Sequence, residues 1–194
     1  MPGKRKPAIE DVPPPASAER RARTGLPERR SERAPDALAV VHGEAEMAYR
    51  RLHRCANRLA RVLIDRGAGP GRLVVIALAP GSGAIAAVLA TLKSGAGHRW
   101  LDPRQPAGSS AGMFAGTAPV CLITTTDEAP RIPAGGWATL LLDGDDLRTE
   151  LFAASDAPLS EADRRVPLDP GGPHPDHIGR HENQEPGYQH EGEA

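Results

Sequence analysis

The chain has 194 residues, with 24 Lys+Arg against 25 Asp+Glu and a formal net charge of −1, which removes the usual electrostatic reason to expect nucleic acid or an anionic membrane as partner. Aromatic residues make up 3%, while Gly (21) and Pro (20) far exceed ordinary usage, so a core can form but not one spanning the whole length. No apolar run approaches the roughly 18 residues of a membrane span, the basic start Met1–Pro7 has no apolar segment behind it, and Cys55 and Cys121 make neither a disulfide framework nor a metal site, which together predict a cytoplasmic protein.

Charge divides the chain into three parts. Residues 1–33 carry nine basic and five acidic side chains and a triple proline at 13–15, and residues 169–194 carry one Arg, six acidic residues and four His. Neither end has enough apolar side chains to offset its ordering entropy, so both are predicted to be disordered: a basic leader and an acidic, His-rich tail. His177 and His181 have the spacing of helical metal ligands, but Pro173, Pro175, Gly179, Pro186 and Gly187 deny a helix there. Residues 34–168, with nearly all the Leu, Ile and Val, are expected to fold.

Within that span, Ala37–Val41 reads as a strand turned by His42-Gly43. Tyr49, Leu52, Cys55, Ala56, Leu59, Ala60, Leu63 and Ile64 recur at steps of three and four, which predicts an amphipathic helix ended by Gly67. Arg50, Arg51, Arg54, Arg58 and Arg61 fall on its other side, as a solvated face or as an anion site. Leu73–Leu78 is unbroken and apolar, as a strand buried on both faces should be. Pro80–Gly83 turns the chain, Ala84–Lys93 reads as a helix stopped by Gly95 and Gly97, and His98–Leu101 reads as a strand ended by Asp102-Pro103. Val120–Thr124 and Ala138–Leu142 are two more β-like runs. Strands alternating with helices predict an α/β fold with parallel pairing and crossover helices.

Gly81-Ser82-Gly83-Ala84-Ile85-Ala86 fits G-x-G-x-x-G/A, and Asp102 lies 19 positions beyond Gly83. A helix N-terminus there would offer N–H donors to a pyrophosphate, with Asp102 on a ribose. The competing reading is a plain glycine turn, with Asp102 capping its own Leu-Asp-Pro turn.

The ordered pieces also resemble a known family. Met47-Ala-Tyr49, Asn57-Arg-Leu-Ala60 and Gly69-Pro-Gly71 resemble the first core motif of the adenylation domains of nonribosomal peptide synthetases. Val88–Ala96 with Leu101-Asp102-Pro103 is similar to the second, and Arg33–Val41, Ala134–Asp143 and Asp163–Leu168 are similar to the segments around them. The resemblance covers most of 33–170 and implies a partial N-terminal subdomain of an adenylate-forming (AMP-binding) enzyme. Such enzymes use ATP and magnesium to convert an amino or other carboxylic acid to an acyl adenylate, which passes to the thiol of a carrier protein. The sequence departs from the family where His98-Arg99-Trp100 replaces Tyr-x-Pro and where Arg50-Arg51 replaces an acidic residue.

The phosphate loop, substrate pocket and catalytic Lys implied by the resemblance have no counterpart here, so no catalytic, cofactor-binding or metal-binding residue is assigned. The chain alone is expected to be inactive. Two other readings are a nucleotide- or dinucleotide-binding βαβ module and a split protein completed by a downstream chain. Only Lys4, Lys6 and Lys93 are lysine against 21 arginines, which points to G/C-rich codons. With such codons His177–Gln184, read one base later, permits Thr-Ser-Gly-Gly-Thr-Arg-Thr, close to the start of the implied phosphate loop.

Overall fold

The computed structural model describes residues 31–43, 45–104, 118–133 and 135–165. The basic leader up to residue 30 and the tail from 166 onward, with the histidines and the shifted-frame segment, lie outside the described residues.

The first strand, β1 (Leu38–His42), pairs antiparallel with β2 (Ala45–Ala48), His42 facing Ala45 and Leu38 facing Ala48. Gly43 in the turn has φ +61°, a left-handed conformation that costs glycine nothing because it has no Cβ. Helix α1 (Tyr49–Asp65) buries Leu52, Ala56, Leu59, Ala60, Leu63 and Ile64, as the periodicity predicts. Cys55 differs: it is exposed. Gly67, at φ +90°, ends the helix by donating its N–H to Ile64 O at 2.9 Å, beside an Ala68-to-Leu63 bond of the same length.

Four strands make one parallel sheet in the order β4-β3-β5-β6, where β3 is Leu73–Ile76, β4 Gly97–Trp100, β5 Cys121–Thr124 and β6 Ala138–Leu141. Val75 stands in register with Arg99 on one side and Leu122 on the other. The two central strands, β3 and β5, are buried at every position, which is why their sequences are unbroken apolar runs rather than alternating ones. Helix α2 (Ser82–Ser94) carries the chain from β3 to β4 and stops at Gly95, left-handed at φ +85°. A third helix, α3 (Asp145–Ala153), follows β6.

One face of the sheet, through Val74, Ile76, Cys121, Ile123 and Leu140, packs against Leu59 and Leu63 of α1, Ala84, Ala87 and Ala90 of α2, and Leu147 of α3. The alanine stripe of α2 keeps that layer thin, because small side chains let the helix backbone approach the sheet. The opposite face is a smaller cluster of Val75, Ala77, Leu101, Leu122 and Ile132 against Trp137. The hairpin is pinned to the helices by Val40, Leu52 and Ala86.

The α/β architecture and the parallel pairing are as expected. The sequence reading passed over β2 and α3. The first is a short run, Ala-Glu-Met-Ala, without β-branched residues. The second buries only Leu147, too weak a stripe to stand out.

Candidate functional site

In a parallel sheet of this kind ligands bind where strands end and the order reverses, here between β3 and β5. The chain leaves β3 through Pro80-Gly81 into α2, whose cap Gly81 carries no side-chain hydrogen bond and whose Ile85 N–H returns to Gly81 O at 3.2 Å. The strand, glycine turn and helix thus lie as the G-x-G-x-x-A spacing predicts. Asp102 does not complete a ribose site: its Oδ1 accepts the Arg104 N–H at 2.9 Å, capping its own turn. The dinucleotide reading loses its carboxylate to local backbone.

Across the edge, the loop after β6 is tied to the loop after β5. Asp143 Oδ1 accepts the Thr126 N–H at 2.9 Å and the Thr126 hydroxyl at 3.1 Å. The Thr126 N–H first, and after it Asp143's own N–H and the Thr126 hydroxyl, hold the Asp143 carboxyl below the usual range against the opposing effect of burial. The Thr125 hydroxyl donates to Glu128 at 3.2 Å. Thr124, fully buried, keeps its Oγ1 without a partner.

A cavity of about 330 Å³ lies beside the start of α3, lined by Thr139, Leu140, Leu141, Asp145, Glu150 and Arg66 among others. Its one cation is engaged, since Arg66 Nη2 donates to Glu150 at 2.8 Å. Among the described residues no cluster of His, Cys, Asp or Glu could hold a metal ion, and no helix is long and apolar enough to cross a membrane. Cys121 is no nucleophile: burial pushes its thiol up to about 12 despite the nearby Arg66 charge.

The arginine row of α1 is solvated in part, with Arg50, Arg51 and Arg54 exposed and Arg58 and Arg61 half-buried, but most of it is bonded within the fold. Arg54 Nε and Arg58 Nη2 both donate to Asp156 Oδ2, at 2.6 and 3.3 Å. Arg61 donates to Asp163 Oδ1 at 3.1 Å and to the carbonyls of Ser155, Ala157 and Pro158 at 2.9, 2.8 and 3.3 Å. Only Arg50, paired with Asp36 at 3.3 Å, and exposed Arg51 stand apart from this clamp. The bond from Arg54 foremost, with the charges of Arg54 and Arg58, keeps the Asp156 carboxyl low. Asp163 is held low chiefly by the Ser160 N–H and hydroxyl and then by Arg61. Sequence reasoning saw the row but not its partners, which lie about a hundred residues downstream.

This is a parallel α/β layer in which Arg54, Arg58, Arg61 and Arg66 are engaged within the fold. A family model for the AMP-binding enzymes matches residues 27–180, and the chain belongs to that family. Within it, the chain is homologous to adenylation domains of nonribosomal peptide synthetases. It is 36% identical over 149 residues to a dimodular nonribosomal peptide synthase of Bacillus subtilis, covering 75% of this chain and 6% of that protein. It is 37% identical over 142 residues to novobiocin biosynthesis protein H of Streptomyces niveus, covering 73% and 24%. Among solved structures, the nonribosomal peptide synthetase FmoA3 (S1046A) superposes with a TM-score of 0.63 at 28% identity, over 71% of this chain and 14% of that one. The N-terminal subdomain of Klebsiella oxytoca NpsA shares the fold, with a TM-score of 0.58 at 22% identity over 71% and 33%. The chain thus spans a quarter or less of the two curated relatives it is compared with.

ATP is the cofactor the family implies, and one FmoA3 structure is an AMPPNP-bound form. The described residues do not fit it. Asp102 and Asp143 are turned to backbone N–H groups, and Arg54, Arg58, Arg61 and Arg66 are bonded to acceptors of the fold. No phosphate or magnesium contact, and so no catalytic step, follows from them.

Proposed function

We propose that this chain is the leading part of an adenylation domain whose whole form activates an amino acid, or another carboxylic acid, with ATP and magnesium and loads it onto a carrier protein in the cytoplasm. The observation that supports this most is the 37% identity over 142 residues, 73% of the chain. On this reading the layer is scaffold. It presents the carboxyl ends of β3 and β5 to polypeptide that carries the phosphate loop and acid pocket, supplied by a longer reading of the gene or by a downstream chain.

The test is amino acid-dependent ATP–pyrophosphate exchange across a panel of acids, with the 194-residue chain and with the chain extended through the shifted frame. The chain alone stays at background and the extended form exchanges. Exchange by the 194-residue chain overturns the assignment of scaffold.

A further inference from the structure

Between Ala154 and Arg165 the chain runs across the outer side of α1, and none of these residues is buried. Its apolar anchorage amounts to two partly buried side chains, Ala154 and Leu159, at the margin of the main core. Its other contacts are polar and come in three groups. At the front, Asp156 takes Arg54 and Arg58, and its carbonyl accepts Asn57 Nδ2 at 2.9 Å. In the middle, Arg61 gathers four acceptors between Ser155 and Asp163. At the end, Arg164 Nη2 donates to Lys93 O at 3.1 Å and Arg165 Nη2 to Asp65 O at 3.0 Å, so adjacent arginines cap the C-termini of α2 and α1.

We propose that residues 154–165 are a strap that opens from α1 as one unit while the sheet and its helices stay folded. Local opening is governed by the apolar burial it gives up, and the strap gives up little of it, whereas β3 and β5 are buried throughout. Ion pairs at the surface are weakened by screening salt, a lever that leaves a dry core unaffected. The closed state also carries a cost: Asn57, 4% exposed, has its Oδ1 buried without a partner, and Arg58 Nε beside it is in the same condition. Opening hydrates both groups, which offsets part of the lost bonding. It also frees Arg54, Arg58 and Arg61 as a row of donors on one helix face.

Hydrogen–deuterium exchange on the full 194-residue chain tests this, at about 0.1 M and about 1 M NaCl. Peptides from 154–165 are expected to exchange at least about tenfold faster than those from β3 and β5, and to accelerate further in high salt while the sheet does not. In Arg61→Ala the strap accelerates by about tenfold more and stays at least about tenfold faster than the sheet; Arg61→Lys, which keeps the charge but not the fork, falls between. One common rate for strap and sheet in the unsubstituted chain overturns the proposal. So does a strap indifferent to salt, or a strap whose rate Arg61→Ala leaves unchanged.

Discussion

Arg61 on α1 and Asp163 near the end of the described chain are 102 residues apart in sequence and 3.1 Å apart in space, with side chains 17% and 26% exposed. The pair is sheltered enough to matter, and it is reinforced because the same guanidinium holds three carbonyls. Removing that guanidinium leaves four acceptors to find water at once. Arg61→Ala is therefore expected to lower stability by about 1–3 kcal/mol, read as a shift in urea midpoint at unchanged slope. Arg148→Ala, whose pair with Asp145 is exposed on both sides, is the control expected to change stability by less than about 0.5 kcal/mol.

Acid is expected to loosen the molecule through three carboxylates. Asp143, Asp156 and Asp163 each have their pKa lowered from 3.8 in the folded state. A carboxyl that binds its proton more weakly when folded contributes stability fully above the unfolded value near 3.8, and that contribution is lost as pH falls through the lower folded value. Urea midpoints are thus expected to be flat in these groups from neutral pH to about 5 and to drop below about 4. In Asp156→Asn the drop becomes shallower, and an unchanged acid limb would show that this carboxylate does not contribute.

The two thiols are expected to behave oppositely. Cys55 is exposed on α1, while Cys121 is fully buried in β5 with its thiol pushed up to about 12. A thiol reagent near pH 8 labels Cys55 in the native chain and reaches Cys121 only in denaturant. Native labelling of both would show that β5 opens readily.

Core truncation is expected to dominate every surface change. Ile76 is fully buried at the centre of the helix-covered face. Ile76→Ala therefore costs about 2–5 kcal/mol, through lost transfer energy and the cavity left behind, as measured by thermal or urea unfolding.

The coding sequence carries one more expectation. Read one base later across the codons for His177–Gln184, it is expected to give Thr-Ser-Gly-Gly-Thr-Arg-Thr and to continue as an adenylation domain. Unrelated codons in that frame would leave the downstream-chain form of the proposed function as the one to pursue.

Much of the layer is legible in the sequence because it rests on local rules. The 3.6-residue stripe of α1, the unbroken apolar runs of β3 and β5, and the glycines that end α1 and α2 each act within a few residues. The family motifs are also linear. The tertiary structure alone decided what the charges do. Asp102 has the right spacing for a ribose carboxylate, yet the nearest donor is the N–H two residues on. The arginines of α1 have the periodicity of a solvated face, yet Asp156, Asp163 and three carbonyls from a distant segment lie within bonding distance. Burial follows from a pattern repeated along one element. A hydrogen bond depends on which donor and acceptor the folded chain brings within about 3 Å, and no local periodicity encodes that.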